Sequence, residues 1–173
     1  MSPLLLDLKS CHTESILKQE LLNSHTDVSA GSVARTWKPI GTFHHVGFIV
    51  RSIAEVASSF AESLNANWDG TIIHDPHQDV RVTFLSSRMA GDPLFELVEP
   101  ASEASPVNSF LKRGGGLNHV CYLVDSLEEA LERCRSQRGI VARTPLPAAA
   151  FGGRRIAWVY TRHRLLIEYL ERG

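Results

Sequence analysis

A chain of 173 residues that is 43% hydrophobic and 21% charged has the make-up of a soluble globular protein, long enough for one ordinary domain or two small modules sharing a core. Its formal charge of −1 leaves no electrostatic footprint for nucleic acid or an anionic membrane, so neither is expected as a partner. Cys11, Cys121 and Cys134 are an odd number without Cys-x-x-Cys spacing, which argues against a disulfide framework or a cysteine zinc site and fits a reducing cytoplasm.

Residues 1–41 read as an N-terminal extension. The apolar run Leu4-Leu5-Leu6 is broken at once by Asp7, too short for a signal-peptide core or a membrane span. Asp7, Glu14 and Glu20 also make a mitochondrial presequence a poor fit. Residues 14–22 place Ile16, Leu17, Leu21 and Leu22 at helix-compatible spacing, and the polar run 23–32 that follows is a loop. His12 and His25 belong to no pattern that would aim them at a shared site, and solvated positions are expected for both.

At Phe43 the pattern changes. The run Val46-Gly-Phe-Ile-Val50 suits a strand buried on both faces. Ser52 and Glu55 form a capping box, and Ile53, Val56, Ala57, Phe60 and Leu64 supply the apolar stripe of an amphipathic helix. Turn residues at 65–70 close it. Strands are expected near 71–74, 80–85 and 94–98, separated by Gly, Pro, Asp and Ser clusters. The order is β-α-β-β-β.

Residues 101–116 form a linker with a short helix starting at Pro106, carrying Val107, Phe110 and Leu111, and ending in Gly114-Gly-Gly116. The order then repeats. A strand at 117–124, a second capping box at Ser126 and Glu129, a helix face of Leu127, Ala130, Leu131 and Cys134, and strands near 141–143, 156–160 and 165–170 again read β-α-β-β-β. His45-Val46 aligns with His119-Val120 seventy-four positions on, and Ser52-Ile53 with Ser126-Leu127. The fold class is therefore α+β: tandem modules at 43–100 and 117–172, joined by the linker, make one curved, barrel-like mixed sheet with helices outside, within a domain spanning 42–173.

The repeat extends to acids. Each module has one histidine in its first strand, His45 or His119, and one glutamate in its last, Glu96 or Glu168. Each glutamate interrupts an apolar strand, where a carboxylate is costly unless paired or metal-bound. Strand alternation puts Glu96 and Glu99 on opposite faces, and likewise Glu168 and Glu171. Apolar neighbours on both sides select Glu96 and Glu168 as the inward pair. Either histidine alone reads as an ordinary strand-end residue with the acids in solvent. The coincidence of all four at matching module positions carries the other reading, a mixed nitrogen and oxygen site for a divalent ion such as Zn, Co, Ni or Mn. His44, adjacent to His45, is expected on the opposite face.

These residues carry a resemblance. The paired modules with His45, Glu96, His119 and Glu168 resemble the vicinal oxygen chelate superfamily, which includes glyoxalase I, extradiol dioxygenases, thiol transferases and methylmalonyl-CoA epimerase. Local strings are most similar to the epimerase group: His45-Val-Gly, Gln78-Asp-Val-Arg-Val82, Glu96-Leu-Val-Glu-Pro100, Phe110-Leu-Lys112, Gly116-Leu-Asn-His119 and Leu166-Ile-Glu168. The resemblance implies a metal held by the four residues, which polarises a thioester carbonyl while a base, Glu168 or Glu96, takes the α-proton. It also implies a small-molecule substrate such as a CoA or other acyl thioester, and a homodimer.

Three strings depart from the epimerase pattern: the loop 148–155, the short turn 160–164, and the strand at 80–85, which has no glutamate to serve as a second base. Arg154 and Arg155 are candidates for an anionic substrate group, or else they begin a strand and cover its edge. Gln78 is a candidate substrate contact, or part of a plain turn. His163 is expected in solvent. Two other functions share the scaffold, a glyoxalase I-like lyase and a non-catalytic resistance protein of the bleomycin-binding type. The full ligand quartet argues against the second.

Overall fold

The computed structural model describes residues 39–87, 89 and 91–173. The candidate helix at 14–22, His12, His25 and nearly all of the expected extension lie outside these residues.

The first module contains β1 (Thr42–Ile49), α1 (Ile53–Ser63), β2 (Ala66–Trp68), β3 (Ile73–Asp75), β4 (Val80–Ser87) and β5 (Leu94–Pro100). A linker helix, α2 (Asn108–Leu111), leads to β6 (Gly116–Val124), α3 (Leu127–Ser136), β7 (Ile140–Pro147), a 3-10 turn (Ala149–Phe151), β8 (Arg155–Tyr160) and β9 (Leu166–Glu171). Nine strands form one open mixed sheet in the order β2-β4-β5-β1-β6-β9-β8-β7, with β3 paired to β4. The two modules meet through the antiparallel pair β1 and β6. β1 runs parallel to β5, and β6 parallel to β9. Both modules therefore come from a single chain.

Both serine N-caps form. Ser52 Oγ accepts the Glu55 amide and Ser126 Oγ accepts the Glu129 amide, satisfying donors that a helix start leaves open. Each module's outward glutamate takes up the next donor. Glu99 accepts from the Ile53 amide at 2.6 Å and from Arg81 at 3.2 Å. Glu171 is held by Arg155 and by the Leu127 amide. Arg81 and Arg155, like Glu99 and Glu171, are thus equivalents in the repeat.

α1 buries Ile53, Ala57 and Ala61 on one side of the sheet, over Leu85 and Leu97. α3 does the same in the second module, with Leu127, Ala130 and Leu131 over Val124, Ala157 and Val159. The helices thus cover alternate positions of β1 and β6, such as Phe48 and Val124, while His45, Gly47 and Ile49 are buried on the other face. That two-sided burial explains the continuous apolar runs.

The strand expected near 71–74 is β3, and an unexpected further strand, β2, precedes it directly after α1. Asn65 takes a left-handed φ of 50°, ending the helix and letting Ala66–Trp68 pair at once with β4. Three residues are too few to show a period of two. β7 is longer than the expected 141–143 and contains Pro145 and Pro147. As an edge strand with two irregularities in its register, it tolerates the missing donors.

The gap between the ends of the curved sheet is bridged by side chains. Buried Asp75 accepts from the amides of His77, Gln78 and Ala149. Trp158 Nε1 donates to Gln78 Oε1 at 3.0 Å, and Arg143 Nη2 donates to His77 O at 2.6 Å. Among the described residues no helix is long and apolar enough to cross a membrane.

Candidate metal centre

The central strand pair and its two parallel neighbours each contribute one polar residue to a single point: Glu96 from β5, His45 from β1, His119 from β6 and Glu168 from β9. All four are buried. His45 Nε2 lies 3.2 Å from His119 Nε2, 3.1 Å from Glu168 Oε2 and 3.5 Å from Glu96 Oε2. His119 Nε2 is 3.2 Å from Glu96 Oε2 and 3.8 Å from Glu168 Oε2. Ligand atoms about 2.0–2.2 Å from one tetrahedral ion stand roughly 3.3–3.6 Å apart, so these separations match a metal cage. Glu168 Oε2 is buried and receives no hydrogen bond of good geometry among the described residues, although an imidazole nitrogen stands beside it. An orphaned carboxylate oxygen between two imidazoles fits a cation better than a hydrogen-bond network.

The outer partners orient both rings. Asn118 Oδ1 stands 3.1 Å from His119 Nδ1; accepting that N–H turns the Nε2 lone pair toward the centre. His45 Nδ1 stands 2.8 Å from His44 Nδ1. Burial, aided by His45, lowers the His44 pKa, so His44 is the neutral acceptor. His44 therefore does not point to the opposite face. A register shift between Phe43 and His45 breaks the alternation of β1, as a bulge does. The two rings then sit edge to face with centroids 5.1 Å apart.

Without a cation the charges settle among the four residues themselves. Burial opposes protonation of His45, but the Glu96 and Glu168 carboxylates outweigh it and raise its pKa to about 10. Burial likewise opposes ionisation of Glu96, and His45 and His119 outweigh that, lowering its pKa to about 2. A proton held between carboxylates is what a divalent ion would displace.

Gly47 makes the packing possible. A Cβ there would stand 1.9 Å from His119 Cε1 and 2.3 Å from its Nε2, so only glycine leaves room for the ring. Its equivalent in the repeat is Cys121, buried beside Glu168. Burial, then the Glu168 charge, raises its pKa, leaving an unreactive thiol. Aromatic residues complete the repeat, Phe84 against His45 and Trp158 against His119.

The cluster opens into a cavity of about 250 Å³ lined by Glu96, His119 and Glu168 at one part and by apolar Val80, Val98 and Phe110 elsewhere. Gln78, Asn118, Arg113 and Arg143 also line it. Gln78 is thus brought to the site. Arg154 and Arg155 are not among the lining residues. Arg155 is committed to Glu171 at 2.6 Å and Glu128 at 3.0 Å, and Arg154 donates to the Phe151 carbonyl and lies over its ring. Arg155 begins β8, but that strand lies between β9 and β7 and has no edge to cover. Arg113 and Arg143 had no signal of their own in the sequence, since one lies in the linker and the other in a strand whose extent was not legible.

Comparison with known families decides the kinship. Residues 44–158 match the model of the Glyoxalase/Bleomycin resistance protein/Dioxygenase superfamily. The chain belongs to that superfamily. It is 32% identical over 134 residues to the uncharacterized protein YqjC of Bacillus subtilis (strain 168), covering 73% of this chain and 89% of that one. To the ethylmalonyl-CoA/methylmalonyl-CoA epimerase of Cereibacter sphaeroides it is 26% identical over 125 residues, covering 71% and 90%. Its fold is similar to the crystal structure of methylmalonyl-CoA epimerase from Mycobacterium tuberculosis, with a TM-score of 0.67 and 23% identity, covering 81% of this chain and 95% of that one. As a superfamily member the chain has the expected α+β architecture, a curved mixed sheet with helices outside.

Proposed function

We propose that this protein is a metal-dependent epimerase or isomerase that removes and returns the proton α to an acyl thioester carbonyl, with a substrate of the methylmalonyl-CoA type. The observation that carries the reading is the meeting of two imidazoles and two carboxylates in one buried cluster, of which Glu96, His119 and Glu168 line a cavity otherwise largely apolar. The similarity to a relative named as an ethylmalonyl-CoA/methylmalonyl-CoA epimerase supplies the substrate class. A divalent ion held by His45, Glu96, His119 and Glu168 would contribute a Lewis acid that polarises the carbonyl and acidifies the neighbouring carbon.

The residues of the chain do the rest. β5 and β9 flank the central pair from opposite sides, so Glu96 and Glu168 approach the cluster from opposite directions. In this reading Glu168 takes the α-proton and Glu96 returns one to the other face. Asn118, whose oxygen is given to His119, keeps its amide donors for a substrate oxygen. Gln78 is held by Asp75 and Trp158 and limits how the acyl group can turn. Apolar walls exclude water from the proton transfer.

Deuterium uptake at C2 of methylmalonyl-CoA in D₂O, with metal-loaded protein, is the direct test. Exchange should be rapid for the wild type and fall at least about 100-fold in Glu168→Gln, while His119→Ala should lose both exchange and metal. A metal-loaded wild type that catalyses no exchange on this thioester or on related acyl thioesters would remove the epimerase reading. Turnover of a hemithioacetal in the same panel would favour the glyoxalase-type lyase instead.

A further inference from the structure

The cavity has a cationic side, Arg143 and Arg113, whose charge no carboxylate among the described residues pairs. Across β7, β8, β9 and β6, Arg143 pairs with Trp158, Trp158 with Glu168, and Glu168 with Cys121. Arg143 therefore continues the row that carries Glu168, two strand spacings away, or roughly 10 Å between Cα atoms. The strand is shaped to place it there. The register of β7 shifts between Val141 and Arg143, and after the shift Ala142 and Arg143 both line the cavity. Bulges of this kind re-aim a side chain. The guanidinium is then tethered, donating from Nη2 to His77 O at 2.6 Å, which leaves its other donors for a ligand.

Its charge is unspent. Arg81, Arg135, Arg155 and Arg172 each pair with a carboxylate, whereas Arg143 and Arg113 pair with none among the described residues. Arg113 lines the same cavity, its guanidinium 5.6 Å from the Phe110 ring centre. Nor does the repeat explain Arg143. Seventy-four positions earlier stands Asp69, whose carboxylate accepts the Thr71 amide in a turn. Arg81 and Arg155 recur in both modules because the scaffold needs them, and Arg143 occurs only where the cavity does.

We infer that Arg143, seconded by Arg113, is an anion-recognition site at the cavity mouth, selecting ligands that carry a carboxylate or phosphate beside the group handled at the cluster. This deepens the thioester reading and rests on it for the identity of the substrate. Two oxygens of such a group match the planar donors of arginine.

The test is equilibrium binding by calorimetry to full-length, metal-loaded protein, comparing wild type, Arg143→Gln, Arg143→Lys and Arg113→Gln, each checked for an unchanged melting temperature. Arg143→Gln should weaken methylmalonyl-CoA about tenfold, Arg143→Lys less, and Arg113→Gln by a smaller factor. If propionyl-CoA, which lacks the free carboxylate, is unaffected by Arg143→Gln, the anion is the acyl carboxylate. If both thioesters weaken equally, it is a phosphate of the carrier. Unchanged affinity for both overturns the inference. Should the wild type bind neither thioester, the thioester reading fails by itself. The arginine site is then decided by titrating methylmalonate and inorganic phosphate into wild type and Arg143→Gln, where equal affinities, or no binding to either, overturn it.

Discussion

Replacing Gly47 with alanine tests the metal centre through a single methyl group. The new Cβ would lie 1.9–2.4 Å from three atoms of the His119 ring, so one of them must retreat by about 1 Å or more to reach a normal contact. Gly47 cannot yield, because it pairs with Glu96 on one side and His119 on the other in the middle of the sheet. His119 cannot retreat freely either, since Trp158 packs against it at 4.7 Å between ring centroids. Overpacking of this kind costs about 1–3 kcal/mol. The larger effect falls on the ion. Loss of an orienting partner outside the ligand shell costs about 10–100-fold in affinity, and displacing a ligand should exceed that, so a drop of more than about 100-fold is expected. Chelator competition with a divalent ion measures it, with Gly70→Ala as the control. Gly70, unlike Gly47, has a positive φ, and nothing lies within 4 Å of its added Cβ, so that variant introduces backbone strain without touching the cluster. A folded Gly47→Ala protein with wild-type stoichiometry and affinity would refute the placement of His119 as a ligand.

Three other outcomes follow from the same geometry. Asp75→Ala removes the buried acceptor that three backbone amides share, and should destabilise the protein by about 1–3 kcal/mol in urea unfolding. Arg155→Ala should leave ligand affinity unchanged and cost no more than about 1 kcal/mol, because its ion pairs are partly exposed; a lost affinity would return it to the substrate site. The third concerns pH. His45 is raised from 6.5, so its contribution to metal-free stability is complete below pH 6.5 and is lost as pH rises toward about 10. Glu96 is lowered from 4.5, so its contribution is complete above pH 4.5 and is lost as pH falls toward about 2. Metal-stripped protein should therefore melt at progressively lower temperature from pH 6.5 to 9, while metal-loaded protein resists that fall, as thermal scans with and without chelator would reveal. Parallel curves would contradict the charge arrangement.

Much of this molecule is readable without coordinates because its information is local and stated twice. The N-caps at Ser52 and Ser126, the apolar faces of α1 and α3, and the two-sided runs of β1 and β6 follow from short-range chemistry. Their recurrence pairs His45 with His119 and Glu96 with Glu168. Only the tertiary structure decided what depends on register and on contacts between distant segments. A bulge turned His44 toward His45, and three residues after Asn65 became a strand because β4 was there to pair with them. Arg155 went to Glu171 and Glu128 because β8 and β9 are neighbours, while Arg143 reached the cavity through a shift in the register of β7. Side-chain alternation along one strand is a property of sequence, but which strand lies opposite, and by how many residues it is offset, is settled by packing across the whole sheet.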